Sequence, residues 1–301
     1  MRVFVTGGTG LIGSQLVRQL LERGDECVIV SRSGRDPWDH ERARVVRGDP
    51  TAPGEWQRAV SGCDAVVNLA GQPIVDPPHR WTAARKRLLR DSRVDTARQV
   101  VAAMRAAERV PAVLVSASAI GFYGNRGDET LDESATSGTG FLAELSVAWE
   151  AAARSADDVT RVVCLRTGLV LDRSGGALAP LVPLFKLGLG GPWGEGSQWW
   201  SWIHAADEVG LIRFAIDADL SGPLNLTAPN PVTVNAFAAA LGRSLNRPAI
   251  VRAPAFAMRL TLGEMADALL TSQRVVPRRA LDGGYAFRFP ELDGALADLF
   301  G

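Results

Sequence analysis

The chain has 301 residues, enough to bury a large core as one α/β domain or as a larger domain with a smaller lobe. Lys plus Arg and Asp plus Glu both number 33, so no net charge draws the protein to nucleic acid or to an anionic membrane. A strand-like segment already begins at residue 3, and no apolar run is long enough to cross a bilayer, which predicts a cytoplasmic protein. The cysteines Cys27, Cys63 and Cys164 lack the spacing of a metal site, and we interpret them as reduced core thiols.

A glycine-rich turn, VTGGTGLIG, follows the first apolar strand and precedes an amphipathic helix. In a dinucleotide-binding turn the first glycine lets the chain reverse, the second lets the backbone approach a pyrophosphate, and the third lets the helix lie close to the strand. The first free N–H groups of the helix then face the phosphates. An ordinary turn is the alternative, but the strand before it and the helix after it favour a cofactor loop. The residues predicted around the pyrophosphate are Gly7, Gly10, Leu11, Ile12 and Gly13.

The end of the second strand predicts which dinucleotide binds. A free ribose hydroxyl is usually met there by Asp or Glu, whereas this chain has Ser31 and Arg32. A hydroxyl and a guanidinium suit a 2′-phosphate, which points to NADP(H). A solvated loop arginine is the alternative for Arg32.

Two further strands end in residues suited to the same cofactor. The strand at 64–69 runs into Ala70 and Gly71, whose small size leaves space for the cofactor backbone. The strand that begins at Val113 delivers Ser116 and Ser118 beside the expected nicotinamide, where a hydroxyl can polarise a carbonyl. Either hydroxyl could equally satisfy backbone groups at the strand end.

Strand and helix alternate through the first two thirds of the chain, which predicts a Rossmann-type doubly wound parallel sheet. We expect an NADP-binding domain at 1–226, of which part of 170–226 contributes to the substrate lobe, and a mostly helical C-terminal domain at 227–301. A glycine-rich loop at 188–196 precedes a tryptophan cluster, which fits either the core or the mouth of an apolar pocket. A basic helix predicted from 81 to 107 reads as a solvated face rather than a nucleic-acid site.

Several motifs together resemble the extended short-chain dehydrogenase/reductases of the NAD-dependent epimerase/dehydratase group. They are the glycine turn, Asn68-Leu69-Ala70-Gly71, the segment 116–124, Arg166-Thr167-Gly168, the segment 202–207 and Gly222-Pro-Leu-Asn225. Val30-Ser31-Arg32, Asp91-Ser92-Arg93-Val94, the segment 187–191 and Val275-Val276-Pro277-Arg278-Arg279 resemble an atypical branch, the epimerase family proteins with a characteristic C-terminal domain. The resemblance implies NADP(H) with Ser31 and Arg32 at the 2′-phosphate, Leu69 and Ala70 along the cofactor, and Arg93 near it.

The chain departs from that superfamily at the catalytic pair, where a lysine lowers the pKa of a tyrosine four residues before it. Counted back from Trp149-Glu150, the two positions hold Leu142 and Ser146. Ser118 matches the superfamily's serine, and Tyr123 is the remaining candidate for an acid, although it could instead shape the pocket.

We therefore expect an oxidoreductase or epimerase that uses NADP(H) on a small carbonyl or sugar-nucleotide-like substrate. The alternative is a non-catalytic NADP(H)-dependent regulator, because the Tyr/Lys pair is missing. A small-molecule partner is expected, with no nucleic acid and no membrane, and a homodimer is left open.

Overall fold

A seven-stranded parallel sheet forms the centre of the molecule. The computed structural model describes residues 1–76 and 78–301. The described strands, which include those of the main sheet and of three small pairs, are in chain order β1 (Arg2–Thr6), β2 (Glu26–Ser31), β3 (Ala43–Arg47), β4 (Ala65–Asn68), β5 (Val113–Ala119), β6 (Thr130–Leu131), β7 (Arg161–Thr167), β8 (Leu169–Leu171), β9 (Trp199–Trp200), β10 (Trp202–His204), β11 (Gly222–Leu226), β12 (Val232–Thr233) and β13 (Arg274–Val275).

The helices lie mainly between the strands of the sheet and in the last quarter of the chain. They are α1 (Leu11–Glu22), α2 (Ala83–Arg105), α3 (Phe141–Arg154), α4 (Leu181–Lys186), α5 (Ala205–Asp217), α6 (Val234–Ser244), α7 (Ala255–Leu262), α8 (Asp267–Leu270), α9 (Arg278–Asp282) and α10 (Leu292–Phe300), with short 3-10 turns at Glu55–Val60, Ile120–Tyr123 and Gly263–Ala266. None of the described helices is both long and apolar enough to span a bilayer.

The strand order is β11-β7-β5-β4-β1-β2-β3, and every neighbouring pair in this sheet is parallel. The order reverses at β1, because β2 and β3 extend the sheet on one side of it and β4 pairs with its other side. In doubly wound sheets, ligands bind in the crevice at this reversal, beyond the carboxyl ends of the strands. The predicted Rossmann-type fold is confirmed.

Apolar side chains of the strands pack against helices on both faces. Helices α1 and α5 cover one face through residues such as Leu16 and Ile212. Helices α2 and α3 cover the other through residues such as Met104 and Ala153. The three cysteines are free and buried in these cores.

The C-terminal part is mostly helical, as expected, and its Phe237 and Leu296 belong to a separate core that also contains Trp193, Trp200 and Trp202. The buried carboxylate of Asp207, at the start of α5, fastens the tail to the sheet domain. It accepts 2.8 Å hydrogen bonds from the backbone N–H groups of Arg288 and Phe289. The Tyr285 hydroxyl donates a third bond to it at 3.2 Å.

Helix α6 begins at Val234, because the hydroxyl of the preceding Thr233 accepts a hydrogen bond from the N–H of Ala236. The small strand pairs β6–β13, β8–β10 and β9–β12 were not expected. Each is only two or three residues long, too short for an alternating pattern to mark it.

Candidate active site

The glycine turn after β1 has the shape expected of a dinucleotide-binding loop. Gly7 adopts a φ of +69°, and a Cβ there would lie 2.7 Å from the carbonyl carbon of Leu69. A Cβ on Gly13 would lie only 2.2 Å from the carbonyl oxygen of Gly7. Gly10 is the N-cap of α1, and a Cβ there would meet only the Gly7 oxygen, at 3.2 Å. The second glycine therefore leaves the approach to the helix open, while the first and third permit close packing.

The amino end of α1 is suited to an anion. It has no side-chain cap and no acidic residue in its first turn. Within the described chain, the N–H groups of Leu11 and Ile12 have no protein acceptor. Two unpaired donors at the positive end of a helix dipole favour a phosphate.

A groove of about 280 Å³ runs from this turn across the carboxyl ends of β1, β2 and β4. Its walls include seven of the predicted cofactor residues: Gly7, Gly10, Ser31, Arg32, Leu69, Ala70 and Gly71. Ser31 is buried, with its Oγ 3.2 Å from that of Ser33, whereas Arg32 is exposed at the mouth. The wall also contains Asp49, whose pKa is lowered by hydrogen bonds from Thr51.

Ser116 was expected to touch the cofactor, but the structure places it beneath the groove. Its side chain is fully buried and does not line the described groove. Asn68 Nδ2 donates to its Oγ at 3.2 Å, and Asn68 Oδ1 accepts a 2.6 Å bond from Thr6. Ser116 therefore belongs to a polar chain that ties the ends of β1, β4 and β5 together.

A second cavity, of about 310 Å³, lies beyond the carboxyl ends of β5 and β7, and we name it the inner chamber. It contains Ser118, and about half of its wall is large apolar side chains. These are Ile74, Val75, Ile120, Leu142, Leu145, Trp149, Leu169, Trp199, Trp200 and Leu269. The tryptophan cluster thus has both expected roles, since Trp193, Trp200 and Trp202 pack in the core and Trp199 and Trp200 line the chamber.

Ser118 is held by a buried ion pair. Its Oγ donates a 2.8 Å hydrogen bond to Oε1 of Glu150 on α3. Arg166 on β7 binds the same carboxylate through two N–H groups, at 2.8 and 2.9 Å. Burial alone would lower the pKa of Arg166, but its bonds and attraction to Glu150 outweigh burial and raise it. The serine is therefore fixed by the buried Arg166–Glu150 ion pair.

Tyr123, the expected alternative acid, does not reach the inner chamber. Its side chain is fully buried, and its hydroxyl donates to Oδ1 of Asn225 at 2.7 Å and accepts from Arg166 at 3.1 Å. Burial raises the pKa of Tyr123 to about 12. The hydroxyl faces the core because a 3-10 turn at Ile120–Tyr123 follows β5. This geometry fits a structural role, with the hydroxyl directed away from the described wall of the inner chamber.

Leu142 and Ser146, one turn apart on α3, line the inner chamber together with Ser118. The hydroxyl of Ser146 donates to the carbonyl oxygen of Leu142 at 2.8 Å. An apolar side chain and an internally bonded hydroxyl thus occupy the two positions at which the superfamily's tyrosine and lysine are expected.

Arg93 is the buried exception on a helix whose other arginines are half-buried or exposed. It is 8% exposed and donates to the backbone oxygens of Leu89 and Gln72, at 3.1 and 2.8 Å. Its guanidinium lies over the ring of Trp149, and no described carboxylate forms a salt bridge with it. Desolvation, with repulsion from Arg85, lowers the pKa of Arg93 to about 10. An uncompensated buried cation between the groove and the inner chamber suits a bound anion.

A third cavity, of about 380 Å³, opens beside the inner chamber and shares the wall residues Gly121, Leu142, Ala268, Thr271 and Gln273 with it. We name it the outer chamber. Its charged side chains form two pairs: Lys86 contacts Glu264, and Arg259 lies 3.5 Å from Asp267. The sequence led us to expect a substrate cleft between the C-terminal part and the sheet, but it did not indicate which C-terminal residues line the two chambers, because no local pattern marks them.

Comparison with protein-family models matches residues 3–226 to the NAD dependent epimerase/dehydratase family and residues 253–299 to a domain of unknown function, DUF1731. The chain belongs to the NAD dependent epimerase/dehydratase family. The predicted resemblance is thereby confirmed, including the branch, because relatives covering almost the whole chain are named epimerase family proteins. One from Mycobacterium bovis is 42% identical over 298 residues, covering 98% of this chain and 96% of the relative. Human epimerase family protein SDR39U1 is 37% identical over 305 residues, covering 99% of each chain.

Solved structures agree with the fold. The crystal structure of human SDR39U1 (isoform2) with NADPH has a TM-score of 0.90 at 37% identity and covers 99% of both chains. A nucleoside-diphosphate sugar epimerase from Corynebacterium glutamicum has a TM-score of 0.79 at 33% identity, covering 100% of this chain and 58% of that one. MoeE5 in complex with UDP-glucuronic acid and NAD, at 24% identity and a TM-score of 0.80, shares the fold.

Proposed function

We propose that the protein binds NADP(H) across the carboxyl ends of β1, β2 and β4. The observation that carries this proposal is the groove that joins the glycine turn to Ser31 and Arg32. Human SDR39U1, which is similar over its whole length, was crystallised with NADPH. The proposed binding residues are Gly7, Gly10, Leu11, Ile12, Gly13, Ser31, Arg32, Leu69, Ala70, Gly71 and Arg93, with Ser116 supporting them from below.

Each end of the groove has a distinct proposed role. The free N–H groups at the start of α1 bind the pyrophosphate, and the Arg32 guanidinium pairs with the 2′-phosphate. Arg93 provides positive charge where the groove meets the inner chamber. Because the groove is lined only by residues between 7 and 96, it lies inside the proposed cofactor domain, residues 1–226. Residues 227–301 form the proposed C-terminal domain.

We further propose an NADP-dependent oxidoreductase or epimerase that acts on a small carbonyl or sugar-nucleotide-like substrate. When bound, the cofactor supplies or accepts hydride. Ser118, at the chamber end of β5, is the residue that would orient the reacting oxygen. A small-molecule substrate fits the chamber volume of about 310 Å³.

A non-catalytic NADP(H)-dependent regulator is the second candidate. It is favoured by Leu142 and Ser146, neither of which exchanges a proton as a Tyr/Lys pair does. Incubation with NADPH and a panel of carbonyl compounds and sugar nucleotides separates the two. Turnover that Ser118→Ala abolishes excludes the regulator, whereas no absorbance change and no epimerised product with any compound argue against the enzyme.

The cofactor proposal is tested by calorimetric titration of NADPH and NADH into the wild type, Arg32→Asp and Arg35→Asp. Arg35 is exposed in the same loop but lies outside the groove wall, so it controls for the change in net charge. We expect Arg32→Asp to weaken NADPH by at least about tenfold, the scale of one charge-assisted hydrogen bond, and to spare NADH. Arg35→Asp should change neither affinity by more than about twofold. An undiminished preference for NADPH in Arg32→Asp, or no heat with NADPH, would overturn the proposal.

A further inference from the structure

Most polar groups of the inner chamber are committed to protein partners, and among the described wall residues the indole N–H of Trp149 is an exception. Five hydroxyls line it, and each donates its proton within the protein: Ser118 to Glu150, Ser146 to Leu142, Thr167 to Glu208, Ser201 to Gln273 and Thr271 to Asp267. Gln273 Nε2 donates to the backbone oxygens of Ile120 and Gly124. A ligand with many hydroxyls would find few donors free to bind it.

The rest of the chamber wall favours burial of an apolar body. Trp149 and Trp200 are nearly fully buried, and Ile74, Leu142 and Leu269 complete the same wall. Leu142 is decisive because a tyrosine there would present a hydroxyl, whereas leucine presents only carbon. Burial of apolar surface contributes about 25 cal/mol per Å² to the free energy of binding, so such a wall favours ligands with aromatic or branched aliphatic groups.

Both described cations of the outer chamber already have a carboxylate beside them, whereas a diphosphate requires cations that are free to bind it. Lys86 contacts Glu264 and Arg259 lies near Asp267, so its two positive charges are balanced by two carboxylates. A diphosphate placed there would have to displace one carboxylate or lie beside it, and like charges in close contact repel. Arg93, the cation without a described carboxylate partner, lies at the cofactor side of the inner chamber.

From these observations we infer that the inner chamber accepts an apolar carbonyl compound, aromatic or branched aliphatic, rather than a sugar nucleotide. The inference rests on the proposed function and narrows its substrate class. The carbonyl oxygen lies at Ser118 and the apolar body lies against Leu142 and the tryptophans. Ser118 can turn from Glu150 to the carbonyl at low cost, because Arg166 still binds both carboxylate oxygens.

The test uses the full chain saturated with NADP+, with 4-phenyl-2-butanone and UDP-glucose as probes. Trp149, Trp199 and Trp200 line the chamber, so tryptophan fluorescence reports its occupancy. We expect the ketone to bind with a fluorescence change and UDP-glucose to bind at least about tenfold more weakly. Leu142→Asn and Ile74→Asn should each weaken the ketone by about tenfold, and Val147→Asn, on the exposed side of α3, should not. Because Ile74 lies in a loop, Ile74→Asn still tests the role of the chamber wall in ketone binding if Leu142→Asn fails to fold.

The affinity for NADPH is measured on every variant. If the wild type does not bind NADPH, the cofactor proposal is contradicted, and the ketone titration is then made on the protein without cofactor. The inference about the chamber is overturned if UDP-glucose binds as tightly as the ketone. It is also overturned if the ketone does not bind at millimolar concentration, or if both chamber variants bind it as the wild type does.

Discussion

Ser118 and Glu150 are 32 residues apart in the chain and lie 2.8 Å apart in the fold, with the serine hydroxyl donating to the carboxylate. Arg166 binds that carboxylate from β7, and the guanidinium lies 3.5 Å from the centre of the Phe122 ring. The serine beside the expected substrate is thus positioned by a charge pair that is itself enclosed.

Glu150→Gln should destabilise the protein by about 3–5 kcal/mol, because an amide leaves the Arg166 guanidinium buried without its counter-charge. The free energy of unfolding, measured by urea denaturation, checks this. Glu144→Gln, on the exposed face of the same helix, is the matched control and should change it by less than about 0.5 kcal/mol. Equal stability of the two variants would show that the ion pair does not support the fold.

Gly13→Ala should both destabilise the protein and weaken its affinity for NADPH, since the added Cβ would lie 2.2 Å from the Gly7 oxygen and force the turn to move. We expect a loss of at least about 2 kcal/mol, as for other overpacked sites. Gly294→Ala on α10 is the control, because nothing lies within 4 Å of its Cβ; it should stabilise the helix by about 0.5–1 kcal/mol. Thermal melts measure the stability of both variants, and NADPH titrations measure their affinity for the cofactor. A Gly13→Ala protein with the wild-type melting temperature would contradict the close packing at Gly13.

Glu208 should make stability fall as the pH rises. Its side chain is fully buried, and one carboxyl oxygen has no partner among the described residues. Desolvation raises the pKa of Glu208 to about 8, with Thr167 donating to the other oxygen. Since the folded state holds a proton that the unfolded state loses near its ordinary pKa of 4.5, stability is greatest below that pH and decreases until about pH 8. The slope is at most about 1.4 kcal/mol per pH unit.

Glu208→Gln removes this titration, so its stability relative to the wild type should increase from pH 5 to pH 8. Urea denaturation at several pH values measures the difference, with Glu22→Gln on the exposed side of α1 as control. A constant difference between Glu208→Gln and the wild type across that range would mean that Glu208 is ionised in the folded protein.

The cofactor half of the molecule could be predicted from the sequence because its determinants are local. The glycines that make the turn, the helix after it and the residues that follow β2 are close in the chain. Their spacing is therefore informative, and Gly7, Gly10 and Arg32 line one groove. The position of Ser118 in a cavity also followed from the end of β5.

The substrate half could not be predicted in the same way. Glu150 reaches Ser118 through the packing of α3 on the sheet, and Gln273 reaches the chamber from the C-terminal part. Tyr123 shows that closeness in the chain does not ensure closeness in the site. It follows Ser118 by five residues, yet one 3-10 turn directs its hydroxyl to Asn225. Such contacts depend on tertiary packing, and they have no characteristic residue spacing in the sequence from which they could be predicted.

The two ligand regions are built from separate lengths of polypeptide. The groove uses only residues up to Thr96, whereas the chambers are closed by Ala268 to Gln273, on a tail fastened through Asp207. The walls of the groove thus come from the first third of the chain, whereas the walls of the chambers also need residues from its last fifth. Substitutions in that tail should therefore change which compound enters the chambers while the affinity of the groove for NADP(H) stays the same.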